Sequence, residues 1–365
     1  MLNQDLKYWL GFSLFLKIGP VRFKKLNQYF PNMQTAYTAS FSDLVKAGLD
    51  ENLINEFNTF RNKTNLDQHW EYLLKNQIQI IIQNDPAYPP LLKQIHTPPA
   101  LIYVRGNADI LKYQYNLAVV GTRKFTNYGK ESVAQIVSEL VQNKIAIVSG
   151  LAIGIDALAH QAALDHQGQT IAVLGAGVDN AGIYPRNNFY LSQNILENNG
   201  AIISEFPPAS TPLKSNFPTR NRIIAGLSLG TLVIEAAARS GALITAFTAL
   251  EQNREVFSVP GSIFSEMSQG TNMLIKKGAK MVTSAKDILE ELNLGPIESH
   301  LVNQQILPAS KEEEIIFNLL ASGPKHINQI IKESALCAQI VNSTLTIMEM
   351  KGMIKNLGSQ NYYKL

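Results

Sequence analysis

NLAVVGTRKFTNYGKESVAQIVSELVQNKIAIVSGLAIGIDALAHQ, residues 116–161, alternates two rhythms. NLAVVG (116–121) and KIAIVSG (144–150) are short, apolar and rich in β-branched residues. YGKESVAQIVSELVQN between them, and IDALAHQ after them, repeat their apolar residues at helical spacing. Apolar β-rich runs that alternate with amphipathic helices predict parallel strands joined by crossover helices, because such strands are covered on both faces. QTIAVLG (169–175), GAIISE (200–205), GTLVIEA (230–236) and REVFSVPG (254–261) continue the series. The expected core is therefore a doubly wound α/β domain, with any ligand at the carboxyl ends of its strands.

On the N-terminal side, IQIIIQ (78–83) predicts one strand. NDPAYPPLLKQIHTPPALIYVRGN then carries five prolines, which forbid a continuous helix and predict an extended connector ending in the strand LIYVRG. Upstream, WLGFSLFLKIGPVRFKKLNQYF places helical periodicity on both sides of Ile18-Gly19-Pro20. That is helix-turn-helix punctuation, open to two readings: a helix-hairpin-helix that grips DNA phosphates with turn N–H groups, or a small helical packing domain. On the C-terminal side, residues 311–365 read as three helices and a closing hairpin around a Gly-Ser turn, the order of a winged helix. Its third helix, QIVNSTLTIMEM, has no basic side chain, which favours a structural or partner-binding role over DNA reading. The boundaries expected are 1–65 for the helical domain, 66–295 for the α/β domain with its connector, 296–310 for a linker and 311–365 for the winged helix.

The chain of 365 residues is 45% hydrophobic and 17% charged, with a net charge of +3, so neither disorder nor a polybasic coat is indicated. The single cysteine, Cys337, excludes an intramolecular disulfide and any zinc site built on paired cysteines, and suits a reducing cytoplasm. The first residues, MLNQDLKYWLGF, lack the basic start and apolar run of a secretory signal. The most apolar stretch, 225–250, is broken by Glu235 and Arg239, so no membrane span is expected.

Chemistry concentrates at the predicted strand ends. Gly121-Thr122-Arg123 closes the first strand, and Ser149-Gly150-Leu151 the second, each before a helix whose N-terminus attracts anions. Arg123 adds a fork for phosphate. Neither G-x-x-x-x-G-K-[ST] nor G-x-G-x-x-G is present, which argues against a P-loop NTPase or a dinucleotide enzyme. Asp156 and His160, at i and i+4, read as packing residues rather than a catalytic or metal pair, since no further ligand joins them. The strongest segment is FPPASTPLKSNFPTRNRIIAGLSLGTLVI (206–234): 29 residues without an acid, bracketed by Glu205 and Glu235. It contains Lys214, Arg220 and Arg222, with Phe217 among Asn216, Pro218 and Asn221, and a helix expected from about Thr219. Cations interleaved with an aromatic suit a phosphodiester with a stacked base; the bland alternative is a loop whose arginines pair with nearby carboxylates. Glu235 and Arg239 are spaced to pair on a helix, and Ser240, Gly241 and Thr245 to line a pocket.

VVGTRKFTNYG, IVSGLAIGIDALAHQAAL, AVLGAGVDNAGIYPRNN, ISEFPP, FPTRNRIIAGLS, VIEAAARSGALITA, EVFSVPGSI and GTNMLIKKGA resemble, in order, the signature blocks of the DNA-processing protein A family, DprA or Smf, over about residues 80–285. The resemblance implies an extended Rossmann-like sheet, with a SAM-like or helix-hairpin-helix-like helical domain before it and a winged helix after it. It implies a homodimer without catalytic activity, metal or cofactor. Such a protein binds single-stranded DNA, protects it during natural transformation in competent cells, and helps load the RecA recombinase for DNA recombination. Carried over to this chain, Gly121, Thr122 and Arg123, the Ser149-Gly150-Leu151 loop, Lys214, Asn216, Phe217, Arg220, Asn221 and Arg222 become the DNA-binding residues. Ile153 departs from the family, which usually has Arg there. The alternative is an enzyme: the fold and GTLVIEA are also similar to nucleotide phosphoribohydrolases of the cytokinin-activating type. Leu-Ser-Leu-Gly-Thr (227–231) lacks the glycine pair of that family's phosphate cradle, while Glu235 keeps its acid position.

Overall fold

The computed structural model describes residues 2–294, 310–320, 323–350, 353–356 and 360–364. Met1–Asn293 form one compact unit and Leu294–Leu365 a second. The expected linker, 296–310, and the Gly358-Ser359 turn lie almost wholly or wholly outside the described residues.

The first unit is built on a nine-stranded sheet. Its parallel strands are β3 (Asn116–Val120), β4 (Ala146–Ser149), β5 (Thr170–Val173), β6 (Ala201–Ser204), β7 (Gly230–Val233), β8 (Glu255–Ser258) and β9 (Lys280–Met281). Two antiparallel strands, β1 (Ile78–Ile82) and β2 (Leu101–Gly106), are added on the β6 side, giving the order β1-β2-β6-β5-β4-β3-β7-β8-β9. Every residue of β3 to β7 is buried, the reason those runs carry no charge. The chain leaves β3 through β4, β5 and β6, then returns to place β7 on the other flank of β3, with Val119 opposite Leu232. That reversal opens a crevice beyond the carboxyl ends of β3 and β7.

The crossover helices are α8 (Asn127–Gln142), α9 (Ile155–Asp165), α10 (Phe189–Glu197), α11 (Asn216–Gly226), α12 (Gly241–Glu251), α13 (Gln269–Lys276) and α14 (Ala285–Glu291). The connector contains one helical turn, α7 (Pro90–Lys93), between its prolines. Before it come six helices: α1 (Leu2–Leu14), α2 (Pro20–Tyr29), α3 (Met33–Thr38), α4 (Phe41–Lys46), α5 (Glu51–Lys63) and α6 (Leu66–Lys75). Phe12, Phe23, Tyr37 and Phe57 pack edge-to-face and stacked at their centre. This cluster is continuous with Tyr103, Ala172 and Ile202 of the sheet, and Ser13 Oγ hydrogen-bonds Tyr103 Oη. The helices thus bury their apolar stripe on the sheet, which favours the packing reading of the Gly19-Pro20 turn.

The second unit contains α15 (Lys311–Leu320), α16 (Ile327–Ser334) and α17 (Ala338–Met350), with β10 (Lys325–His326), β11 (Ile354–Asn356) and β12 (Asn361–Lys364) in the order β10-β12-β11. Ile316, Leu320, Ile330, Val341, Leu345 and Met348 form its core. Three helices closed by a small antiparallel sheet make the expected winged helix.

Candidate nucleic-acid interface

A cleft of about 680 Å³ occupies the crevice beyond β3 and β7. Gly121, Thr122, Arg123 and Lys124 line it from the β3 end, and Ala237, Ser240, Gly241 and Thr245 from the β7–α12 turn. Lys214, Phe217, Arg220, Asn221 and Ile224 form a third wall. The helix carrying that wall begins at Asn216, three residues earlier than expected, so Phe217 and Pro218 sit in its first turn. Proline is tolerated there because the first helical N–H groups have no intrahelical partner. Phe217, Arg220, Asn221 and Ile224 are then i, i+3, i+4 and i+7 on one face.

The same register corrects the assignment of Arg222. Two residues along a helix turn it about 200° from Arg220. Arg222 donates instead to the Thr97 carbonyl at 2.8 Å and forms an ion pair with Glu205, both side chains being nearly buried. Burial raises the Glu205 pKa and the Arg222 charge opposes that rise. For this arginine the pairing with a nearby carboxylate forms.

Arg220 is 5% exposed. Its guanidinium donates to the Gly150 carbonyl at 2.9 Å and to the Val173 carbonyl, and its Nε to Asn221 Oδ1 at 3.3 Å. Its Cζ lies 6.0 Å from the centroid of the Phe217 ring. Burial pulls its pKa down to about 10, opposed by Asp156, which leaves it charged at neutral pH. Arg220 therefore brings a fixed positive charge to the cleft floor and braces Phe217. Tyr184, from the loop after β5, packs on the same ring at a centroid distance of 5.9 Å. By contrast, Arg123 and Lys214 are exposed and have no carboxylate within ion-pair distance among the described residues.

Four further expected contact residues do not line the cleft. Ser149 and Leu151 are fully buried; Ser149 Oγ donates to the Val119 carbonyl at 2.6 Å. The Gly150 N–H donates to Asp156 Oδ2 at 3.0 Å, while its carbonyl accepts from Arg220. Gly150 is thus a packed joint between Asp156 and Arg220, with no N–H left for a phosphate. Asn216 binds the Gly175 carbonyl through Nδ2 at 3.0 Å. Ile153 is exposed beside Ala152 of the cleft and brings no charge.

The helix start after β3 is likewise occupied from within. Thr126 caps α8, and Glu235, 1% exposed, accepts from the Thr126 N–H at 2.9 Å and from its hydroxyl at 2.6 Å. A Cβ on Gly129 would stand 2.2 Å from Glu235 Oε2, so only glycine admits the carboxylate. The anion drawn to this N-terminus is the protein's own. Residues 234–240 are not helical, so the expected pairing of Glu235 with Arg239 does not form. Ser240, Gly241 and Thr245 do line the cleft. Tyr184, Lys124, Glu266 and Met267 also line it and were not singled out from the sequence. Lys124 adjoins Gly-Thr-Arg, but nothing in the Tyr184 segment announced that its loop folds over Phe217.

Asp156 and His160 are both buried, and Asp156 also lines the cleft, where its charge faces Arg220. Thr170 Oγ1 spends its proton on the Ile147 carbonyl at 2.8 Å, so it accepts from His160 Nδ1–H at 2.7 Å. The imidazole Nε2 has no partner. Burial, with Arg220 acting in the same sense, pushes the His160 pKa down from 6.5 to about 3. The unfolded chain then binds a proton that the folded chain refuses between those values. The contribution is complete above 6.5 and is lost as pH falls, by up to about 1.4 kcal/mol per pH unit. Asp156, raised by burial, works in the opposite sense. His160→Asn is expected to flatten the fall in urea midpoint between pH 7 and pH 5; an unchanged slope would refute this role.

The description "DNA recombination-mediator protein A" fits residues 79–293, and "DprA winged helix domain" fits residues 303–359. The chain is 40% identical over 316 residues to Protein Smf of Synechocystis sp., spanning 86% of this chain and 79% of that one. It is 47% identical over 207 residues to the DNA processing protein DprA of Streptococcus pneumoniae, 57% of this chain and 72% of that one. The solved structure of DprA from Streptococcus pneumoniae superposes with a TM-score of 0.65 at 38% identity, covering 74% of this chain and 92% of the other. DNA processing protein A of Helicobacter pylori, solved in a study of its single-stranded DNA binding mode, gives 0.54 at 30% identity over 60% of this chain and 96% of the other. With a family match over more than half its length, in the α/β unit that carries the cleft, this chain belongs to the DNA recombination-mediator protein A family.

Proposed function

We infer that the cleft holds one DNA strand and that the protein processes DNA by binding it, without chemistry. The observation that carries this reading is the meeting of Arg123 and Lys214, two exposed cations with no ion-pair partner among the described residues, with the Phe217 ring over the buried charge of Arg220. Cations take phosphates and the ring takes an unstacked base, which a duplex does not offer. The Helicobacter pylori relative, characterised with single-stranded DNA, supports it. Anisotropy titrations should show preference for single-stranded over duplex oligonucleotides, and affinity falling with salt at about −0.7 in log–log slope per phosphate neutralised. Equal affinity for duplex, or no salt dependence, would overturn the reading.

The family description as a recombination mediator supports a wider role. In this reading the protein acts in the cytoplasm, protects strands that enter during natural transformation, and helps load RecA on them. Its measure is the rate of RecA filament formation on strands covered by a competing binding protein. It acts as a homodimer, whose two clefts hold one strand with added avidity. The exposed residues of β9 at the sheet edge suit contact between copies, and sedimentation tests it. Against the phosphoribohydrolase alternative, Glu235 is buried against Thr126 and does not line the cleft. AMP incubated with the protein should release no adenine.

A further inference from the structure

Two loops form one rim of the cleft. The first, after β3, runs through Arg123, Lys124 and Phe125 to Tyr128 at the start of α8. The second, after β8, runs through Pro260, Ile263 and Phe264 to Glu266 and Met267. Lys124 and Arg123 from the first line the cleft, as do Glu266 and Met267 from the second. They are fastened together: Tyr128 Oη donates to the Pro260 carbonyl at 2.7 Å, and Thr122 Oγ1 lies 3.5 Å from Met267 Sδ. Yet each holds apolar side chains out in solvent. Phe125 is 41% exposed, Ile263 80% and Phe264 93%. A ring left that open gains nothing from the fold.

The charge beside these rings is positive. Arg123 and Lys124 on the first loop, and Lys130 in the first turn of α8 that follows it, are exposed and lack a carboxylate within ion-pair distance among the described residues, against Glu131 of α8 and Glu266 of the second loop. Open aromatic faces next to unpaired cations match a chain that alternates flat bases with phosphates. This rim is also continuous with the cleft wall that takes the strand in the reading above.

We propose that the rim formed by Phe125 and Phe264 is a second stacking platform, which takes the unpaired bases of the strand where it leaves the cleft. The inference rests on the assignment of the cleft to single-stranded DNA. Cleft residues hold a short segment, and the rim lengthens the site by the bases that reach Phe125 and Phe264, while Lys124 and Lys130 meet the intervening phosphates. Stacking needs no sequence, so the extension is blind to base identity.

The test is affinity against length for a series of oligo-dT, from a trinucleotide upward, measured for the full chain and for Phe125→Ala, Phe264→Ala and the double variant. The chain as it stands should gain affinity with length beyond the segment that fills the cleft. The double variant should keep short-oligomer affinity within about twofold and lose roughly ten- to hundredfold on long ones. Phe264→Tyr should retain the gain and Phe264→Leu should lose it, which separates stacking from mere hydrophobic cover. A loss equal at all lengths, or no loss, overturns the platform. So does a change in sedimentation with unaltered length dependence, which would make Phe264 a contact between copies. Arg123→Ala/Lys214→Ala serves as the separate control: if binding at every length survives it, the cleft assignment itself has failed.

Discussion

Replacing Arg123 and Lys214 together by alanine is expected to lower affinity for single-stranded DNA at least about a hundredfold, with no change in thermal stability. Each is exposed on the cleft wall and has no carboxylate within ion-pair distance among the described residues, so each is free to meet a phosphate. A charge-assisted contact of this kind contributes roughly tenfold or more. The log–log salt slope should become shallower by about 1.4, the share of two phosphates. Both numbers come from one titration series, and they check each other. An affinity loss with the slope intact would mean that the two residues position the strand without neutralising it. Retention of both would place the strand elsewhere. Phe217→Ala should differ in kind: about a tenfold loss with the slope unchanged, because a ring carries no charge.

Arg222→Ala is expected to do the reverse. The sequence places Arg222 with Arg220 and Asn221 in one basic block, but the structure seats it against Glu205 and the Thr97 carbonyl. Removing it leaves Glu205 nearly buried, already raised in pKa by its surroundings and without its counter-charge. Breaking a buried pair from one side costs about 3 kcal/mol, more than the pair is worth against two apolar residues. Urea unfolding should therefore show a marked loss of stability. The folded fraction should bind single-stranded DNA with its usual affinity and salt slope. The double change Arg222→Met/Glu205→Leu should recover most of the stability, since neither charge is then stranded. If Arg222→Ala leaves stability intact and weakens binding, the arginine belongs in the cleft after all.

These two experiments bear on how far the local pattern can be read. The strands β3 to β8 were legible because parallel strands are covered on both faces, and a run such as LAVV has no other soluble use. The winged helix was legible from the periodicity of its three helices. What escaped were features with no period. β9 is two residues long, and α7 is a single turn among prolines. The start of α11 at Asn216 rather than Thr219 brings Phe217 onto the face of Arg220 and Asn221, while Arg222, two residues beyond Arg220, turns away from that face with either start. Ser149-Gly150 has the composition of a phosphate loop. It serves instead as a joint, because Asp156 and Arg220 reach it from two other elements.

The amino-acid sequence by itself determined strands β1 to β8, where β3 and β4 end in small residues, and that one acid-free window carries the basic and aromatic chemistry. Those are local properties, written in the pattern of each segment. Only the tertiary structure decided which of those charges are free. Glu235 and Thr126 are 109 residues apart, Arg220 and Gly150 seventy, and Arg222 and Glu205 seventeen. A charge is available to a ligand only if no neighbour in space has already taken it. That neighbour is chosen by the order of strands in the sheet, which brings β3, β4 and β7 side by side and, among the described residues, sets no carboxylate within ion-pair distance of Arg123 or Lys214.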